Sequence, residues 1–231
     1  MDFFSEGILE GIKLIISGDK SLYSICFFTL YISIISVIAA TIISLPISYL
    51  ISSHKFRGKK LVILITNSLM SIPTVLIGLI GYGLLSHRGI FGKYNLLFTP
   101  YAIIFGQTLL ALPLITSLFI SVFKSSDERI RKTAITLGAS QTRSFLILIN
   151  EEKIVLFSTI MAGFARVFSE VGIAMMLGGN IRGYTRTITT TIALETGKGD
   201  FAQGVALGLI LLFISFTINL FLNIISRKKS E

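Results

Sequence analysis

From Cys26 to Ile51 the chain runs for 26 residues without one charged side chain. Wound as a helix, that run is about 39 Å long, enough to cross the roughly 30 Å hydrocarbon core of a bilayer. Four more apolar runs approach the same length, over about Leu61–Leu85, Tyr101–Phe123, Ile154–Leu177 and Val205–Ile225. Composition agrees, with 52% hydrophobic residues, 14% charged residues and a mean hydropathy of +0.81, far from soluble averages. The sequence therefore predicts an all-α protein. It is a polytopic transmembrane helical bundle of about five spanning helices, with residues 1–231 as one domain and lipid as its solvent.

The net charge of +9 would suggest a nucleic-acid partner in a soluble chain, but the 21 basic residues are sorted by loop. Thirteen lie after runs one, three and five, in Lys55–Lys60, Lys124–Lys153 and Arg227–Lys229. Seven lie on the opposite side, and Arg166 alone stands inside a run. The positive-inside bias places the N-terminus outside and the C-terminus in the cytoplasm. No nucleic acid is expected.

The first 20 residues set Phe4, Ile8, Ile12 and Ile15 on one helical face, away from Glu6, Glu10 and Lys13. That pattern suits a helix lying in the membrane interface, with a short sixth span as the alternative. Asp2, Glu6 and Glu10 stand where a cleaved leader would carry basic residues, which argues against a signal peptide. Cys26 is the only cysteine, so no intrachain disulfide can form. His54 and His87 lie in separate loops without ligand-spaced partners, and no metal site is assigned.

Pro73, in "SIPTVLIGLIGYG", and Pro113, in "ALPLITSLF", each remove a backbone hydrogen bond from a span. Gly78, Gly81 and Gly83 would let neighbouring helices approach closely. Two readings stand: tight packing of a kinked bundle, or helices that line a path and must bend.

The longest cytoplasmic segment is "KSSDERIRKTAITLGASQTRSFLILINEEK", Lys124 to Lys153. Ile130, Ala134 and Leu137, then Phe145, Leu148 and Ile149, follow helical spacing, interrupted at Gly138 where two short helices would meet at an angle. Its apolar residues favour a surface for a partner over a merely solvated connector.

Within it, "KTAITLGASQTRSF" resembles the coupling loop of the membrane subunits of ABC importers, a Glu-Ala-Ala-type triplet, three residues, then Gly. Here Lys132, Thr133 and Ala134 fill the triplet and Gly138 the glycine, with Leu137, Ala139 and Ser140 around it. The triplet lacks its acid and one alanine, and "LILINEEK" replaces an Ile-x-Leu-Pro ending. The resemblance extends over nearly the whole chain. "SIPTVLIGLIGYGLLSHRGIFG" and "FSEVGIAMMLGGNIRGYTRTITTTIALETGKGDF" are similar to the tungstate permeases of this group, more than to the molybdate and sulfate permeases. The resemblance implies a homodimer served by two ATP-binding subunits and an extracytoplasmic anion-binding protein. The coupling loop would dock on the ATP-hydrolysing partner. Choice between tungstate and molybdate would belong largely to the binding protein.

Arg166 and Glu170 lie four residues apart, on one helical face and within reach of each other. An unpaired charge in the bilayer centre costs roughly 2.5–3.5 kcal/mol, so the pair must face protein or water. It is either a structural ion pair or part of the anion path or its gate, where a guanidinium suits a divalent tetrahedral oxyanion. Pro73 and Pro113 belong to the same candidate path. Beyond it, "GGNIRGYTRTITTTIALETGKGD" reads either as a polar outer loop or as the outer mouth, with Asn180, Arg182 and Arg186 contacting the binding protein.

No G-x-x-x-x-G-K-[ST] occurs in the chain, so ATP and Mg would be bound by the partner subunit and no cofactor by this one. No Ser/His, paired-Asp or His/Glu constellation within the spans supports an intramembrane enzyme. A proton-coupled secondary transporter is the rival from another class, and the coupling loop argues against it.

Overall fold

The computed structural model describes residues 3–227. Lys228 and Lys229 of the cytoplasmic set lie outside them, as do the side chains of Phe4, Glu6 and Glu10. Among the described residues there are eleven α-helices and no strand: α1 Phe3–Ile16, α2 Lys20–Ser53, α3 Lys59–Leu69, α4 Thr74–Leu85, α5 Pro100–Ser125, α6 Glu128–Thr136, α7 Gln141–Glu151, α8 Lys153–Phe168, α9 Gly172–Gly178, α10 Ile188–Lys198 and α11 Phe201–Arg227. A 3-10 turn, Gly92–Tyr94, lies between α4 and α5.

Helices α2, α5 and α11 are each long and apolar enough to cross a membrane. The other two predicted spans are not single helices. Span two is broken between α3 and α4 with a bend of 96°, and span four between α8 and α9 with a bend of 62°. Counting each bent pair as one span gives the predicted five. Helix α1, at 14 residues, rises only about 21 Å and packs on α11. A Cβ on its Gly11 would stand 3.0 Å from the Ala206 nitrogen, so only glycine permits that approach without adjustment.

The most extensive helix pair is α2 with α5. Ser33, Ser36, Ala40, Ser44 and Ser48 form a buried stripe of small residues at spacings of three and four along α2. Small side chains let the backbones close up, and hydroxyls then bond across the contact. Ser36 Oγ donates to Gln107 Oε1 (3.1 Å), Thr116 Oγ1 to Ser44 Oγ (2.9 Å), and Ser44 Oγ reaches the Leu112 carbonyl (3.3 Å). Around this seam Leu22, Val37, Ile115, Phe119, Val167, Phe168, Ile188 and Leu207 build the main core. Ile77, Leu85, Leu110, Ile173 and Leu177 build a second one between α4, α5 and α9.

The two prolines behave differently. Pro73 is the N-cap of α4, at the break itself, where its missing N–H is no loss. Pro113 lies inside α5, which continues through it from Pro100 to Ser125. Of the three glycines, Gly78 and Gly81 do admit a neighbour. A Cβ would meet Met176 Sδ at 2.8 Å and Leu177 Cδ1 at 3.0 Å, so α4 lies close on α9. Gly83 has no such contact, since nothing lies within 4 Å of its Cβ position.

Candidate functional site

Arg166 and Glu170 were expected on one helix. Arg166 is in the last turn of α8, but that helix ends at Phe168, and Glu170 lies in the break before α9. The ion pair forms nevertheless, with Arg166 Nη1 3.1 Å from Glu170 Oε2. The other oxygen, Oε1, accepts the backbone N–H of Gly172 (2.9 Å) and of Ile173 (3.3 Å). Glu170 is thus both counter-ion and cap: it satisfies amides that the first turn of a helix leaves without an intrahelical partner. Its side chain is 4% exposed and that of Arg166 42%. The acid is sealed in protein while the guanidinium reaches outward.

The break between α3 and α4 comes to the same place. A Cβ on Gly172 would lie 3.5 Å from Thr74 Oγ1 and 3.6 Å from Val75 Cγ2, at the start of α4. Pro73, Thr74, Arg166 and Glu170 therefore surround one junction of two interrupted helices. Interrupted backbone at membrane depth is tolerated where protein buries it or where it lines a water-filled path. Pro113 lines an apolar cavity of about 430 Å³ together with Ile47, Ile72, Ile77 and Leu109. It reaches the α3–α4 break through Leu69 and Ile72, which line the same cavity.

The threonine run beyond Arg186 is not the polar outer loop that its composition suggests. Thr187 caps α10 by a reciprocal pair with Thr190, and Thr187, Thr189, Thr190 and Thr191 are all buried. Their hydroxyls bond locally or across helices, so a polar run can enter the core. Thr189 Oγ1 donates to the Glu170 carbonyl (2.8 Å), and the Ile188 N–H donates to Thr29 Oγ1 of α2 (2.9 Å). Of the three residues assigned to the outer mouth, Arg182 is exposed. Asn180, in the left-handed conformation at φ 51°, donates its amide to the Thr190 carbonyl (3.4 Å). Arg186 is mostly buried, 3.8 Å from Glu195, which also pairs with Lys198 (3.1 Å). Glu195 was not anticipated, although Lys198 three residues on was a readable sign. Among the described residues, Asn180 Oδ1 and Arg186 Nε are buried without a hydrogen-bond partner.

At the far end of α5, α6 and α7 meet at Gly138 as the spacing predicted. Gly138 has φ 84°, its N–H donates to the Ile135 carbonyl (2.9 Å), and the Ala139 N–H donates to the Ala134 carbonyl (3.0 Å). This is a Schellman closure, which needs a left-handed residue at that point. Ser140 then caps α7 by accepting from the Arg143 N–H (3.2 Å). Asp127 caps α6, and the hydrogen bond from the Arg129 side chain holds its carboxyl below the usual range.

The apolar residues of this segment divide into two faces. Phe145, Leu148 and Ile149 pack on the bundle, with the Phe145 ring 4.4 Å from that of Tyr49, so they are not the partner surface. Leu137 is 82% exposed, and Ile135, Leu146 and Ile147 are exposed as well. Lys132, Thr133 and Gly138 are exposed beside them, Ala139 is half-buried and Ala134 is buried.

Helices of this length, two of the spans being broken, define a multi-pass helical membrane protein. The chain superposes on a chain of a bacterial alginate ABC transporter, crystallised in complex with an alginate pentasaccharide-bound periplasmic protein, with a TM-score of 0.72. The match covers 98% of this chain and 88% of that one, at 16% identity. The chain is 39% identical over 219 residues to the tungstate uptake system permease protein TupB of Peptoclostridium acidaminophilum, covering 95% of this chain and 96% of the relative. It is 37% identical to TupB of Campylobacter jejuni, covering 95% and 92%. No family model matches the sequence. The chain belongs to the family of ABC-transporter permeases that includes these TupB proteins.

Proposed function

We propose that this chain carries tungstate through the membrane as the permease of an ATP-driven importer. The observation that carries the proposal is near-full-length similarity to two tungstate uptake permeases at 39% and 37% identity. The complex consists of two copies of the chain, two ATP-binding subunits that hold ATP and Mg, and an extracytoplasmic anion-binding protein. The chain itself binds no cofactor and does no covalent chemistry. The N-terminus lies outside and the C-terminus in the cytoplasm.

The junction of the broken helices is the part of the anion path or gate that this chain supplies. A guanidinium has five N–H donors, and the contact with Glu170 uses only part of that fork. The outward-reaching remainder serves a tetrahedral dianion, while the carboxylate behind it offsets the charge and prevents trapping. Thr74 adds a hydroxyl at the same point. Arg182 and Arg186, with Asn180, serve the outer mouth or the binding protein. The exposed face of Leu137, Ile135, Leu146 and Ile147, beside Lys132, Thr133, Gly138, Ala139 and Ser140, docks on the ATPase.

The test is uptake of labelled tungstate into proteoliposomes holding the assembled complex. Uptake that requires ATP and loaded binding protein, and that excess molybdate and sulfate compete for less well than tungstate, is the expected result. Uptake driven by a proton gradient without ATP would sink the reading in favour of a secondary transporter.

A further inference from the structure

A groove runs between α3 and α5 from the first helix break to the α6–α7 end of the bundle. Its upper part is a cavity of about 480 Å³ lined by Ile63 and Asn67 of α3, by Met70 just past its end, and by Ser117, Ser121 and Lys124 of α5. Its lower part is a cavity of about 550 Å³ that shares Ile63 and Lys124 and adds Lys55, Lys59 and Lys60. Met70 borders the break itself, so the groove begins at the junction that holds Thr74 and Glu170.

The polar groups of this groove are in the wrong place for a lipid-facing surface. Ser117 Oγ donates to Asn67 Oδ1 at 2.5 Å, a side-chain bond between two segments apolar enough to span a membrane. The Asn67 residue is exposed, and in hydrocarbon its amide donors would lack an acceptor. Neutral hydroxyls and amides can donate to an oxyanion without holding it as a bare cation would. At the lower end Lys55, Lys60 and Lys124 are exposed, and among the described residues neither cavity is lined by an acid. Lys59 is committed to the Ser52 and His54 carbonyls (2.6 and 3.1 Å). The nearest acid along α5 and α6, Asp127, is held by Arg129 at 2.9 Å. A cleft of one sign raises the local concentration of the opposite ion.

We infer that the α3–α5 groove is the inner half of the route, conducting a divalent tetrahedral oxyanion from the junction of the breaks, past Asn67, Ser117 and Ser121, into the lysine cleft. This deepens the transport reading and rests on it. Lys124 also borders a small cavity with Ser126, Asp127 and Leu148 at the root of α6 and α7. The mouth of the route is therefore set beside the segment that meets the ATPase.

The experiment starts from assembled complex whose wild-type chain shows ATP-driven tungstate uptake; failure at that stage removes the transport reading and is distinct from failure of the labelling. In a Cys26→Ala background, Ser121→Cys and the control Ile65→Cys, exposed and two residues from both Ile63 and Asn67, hence off their face of α3, are treated with water-soluble thiosulfonates of negative and positive charge. Ser121→Cys should react, with tungstate slowing the reaction and the anionic adduct lowering uptake about tenfold or more while basal ATP hydrolysis persists. Ile65→Cys should not react. Lys60→Gln with Lys124→Gln should weaken uptake most at low ionic strength, where unscreened charge acts furthest. Labelling of Ser121→Cys only by lipid-soluble maleimide would overturn the proposal. Full uptake after complete modification would overturn it too.

Discussion

Thr189 donates its hydroxyl to the backbone carbonyl of Glu170 at 2.8 Å, which ties α10 to the break between α8 and α9. A carbonyl just past a helix end has no partner within that helix, and Glu170 is buried. Thr189→Val keeps shape and removes the donor. Leaving a buried acceptor unpaired costs about 1–3 kcal/mol, so the variant should melt earlier in detergent, while Thr189→Ser should remain close to wild type. Equal melting of all three would show that the bond contributes nothing.

Much of this arrangement was readable from the sequence, and the reasons differ from element to element. Apolar length alone located all five spans. Pro73 marked the first break, because proline without an N–H suits a helix start. The second break has no proline. Its sign is Glu170 standing two and three residues before Gly172 and Ile173, the spacing of a side chain that caps new amides, and helical spacing to Arg166 suggested an unbroken helix instead. Helix α10 was illegible because threonine is a poor helix former, and only tertiary contacts such as Thr29 to Ile188 make its burial favourable. The serine stripe of α2 was visible at its spacing of three and four, but the apolar residues around it carry the stronger signal.

Topology is open to a direct check. In a Cys26→Ala background, cysteine replacing exposed Ser140 should react with impermeant thiol reagent only from the cytoplasmic side, and cysteine replacing exposed His87 only from outside. Reversed labelling would contradict the 13-to-7 charge asymmetry and with it the docking of α6 and α7.

Coupling is tested best at Leu137 rather than at Gly138. With φ 84°, Gly138 resists any side chain, so Gly138→Leu mixes strain of about 1–2 kcal/mol with bulk. Leu137 is exposed and has an unstrained backbone, with φ −79°. Leu137→Glu should leave insertion and melting unchanged. If that side chain anchors the contact, its loss from a buried apolar centre should cost about 2 kcal/mol or more, or roughly 30-fold in ATPase subunit affinity. Unchanged binding and uptake would move the docking surface elsewhere.

The Arg166–Glu170 pair allows the structural and pathway roles to be separated. Arg166→Met leaves a carboxylate that is 4% exposed, still capping α9 but without its counter-ion. Glu170→Gln leaves a guanidinium that is 42% exposed and can turn to water. The first variant should therefore lose more stability than the second. Its loss should be about 1–3 kcal/mol, below the ~3–5 kcal/mol of fully buried pairs because Arg166 is partly solvated. In the double variant the amide oxygen of the introduced glutamine can still accept from the Gly172 N–H, so most of the loss from Arg166→Met should return, which a double-mutant cycle of detergent melting reads directly. Uptake should not return with it. An anion that uses the outward N–H groups of Arg166 loses them in both variants lacking the arginine, so transport should remain depressed and loaded binding protein should stimulate ATP hydrolysis weakly. Full transport by the stable double variant would leave the pair a purely structural role; additive losses without recovery would show that the two residues do not act as partners.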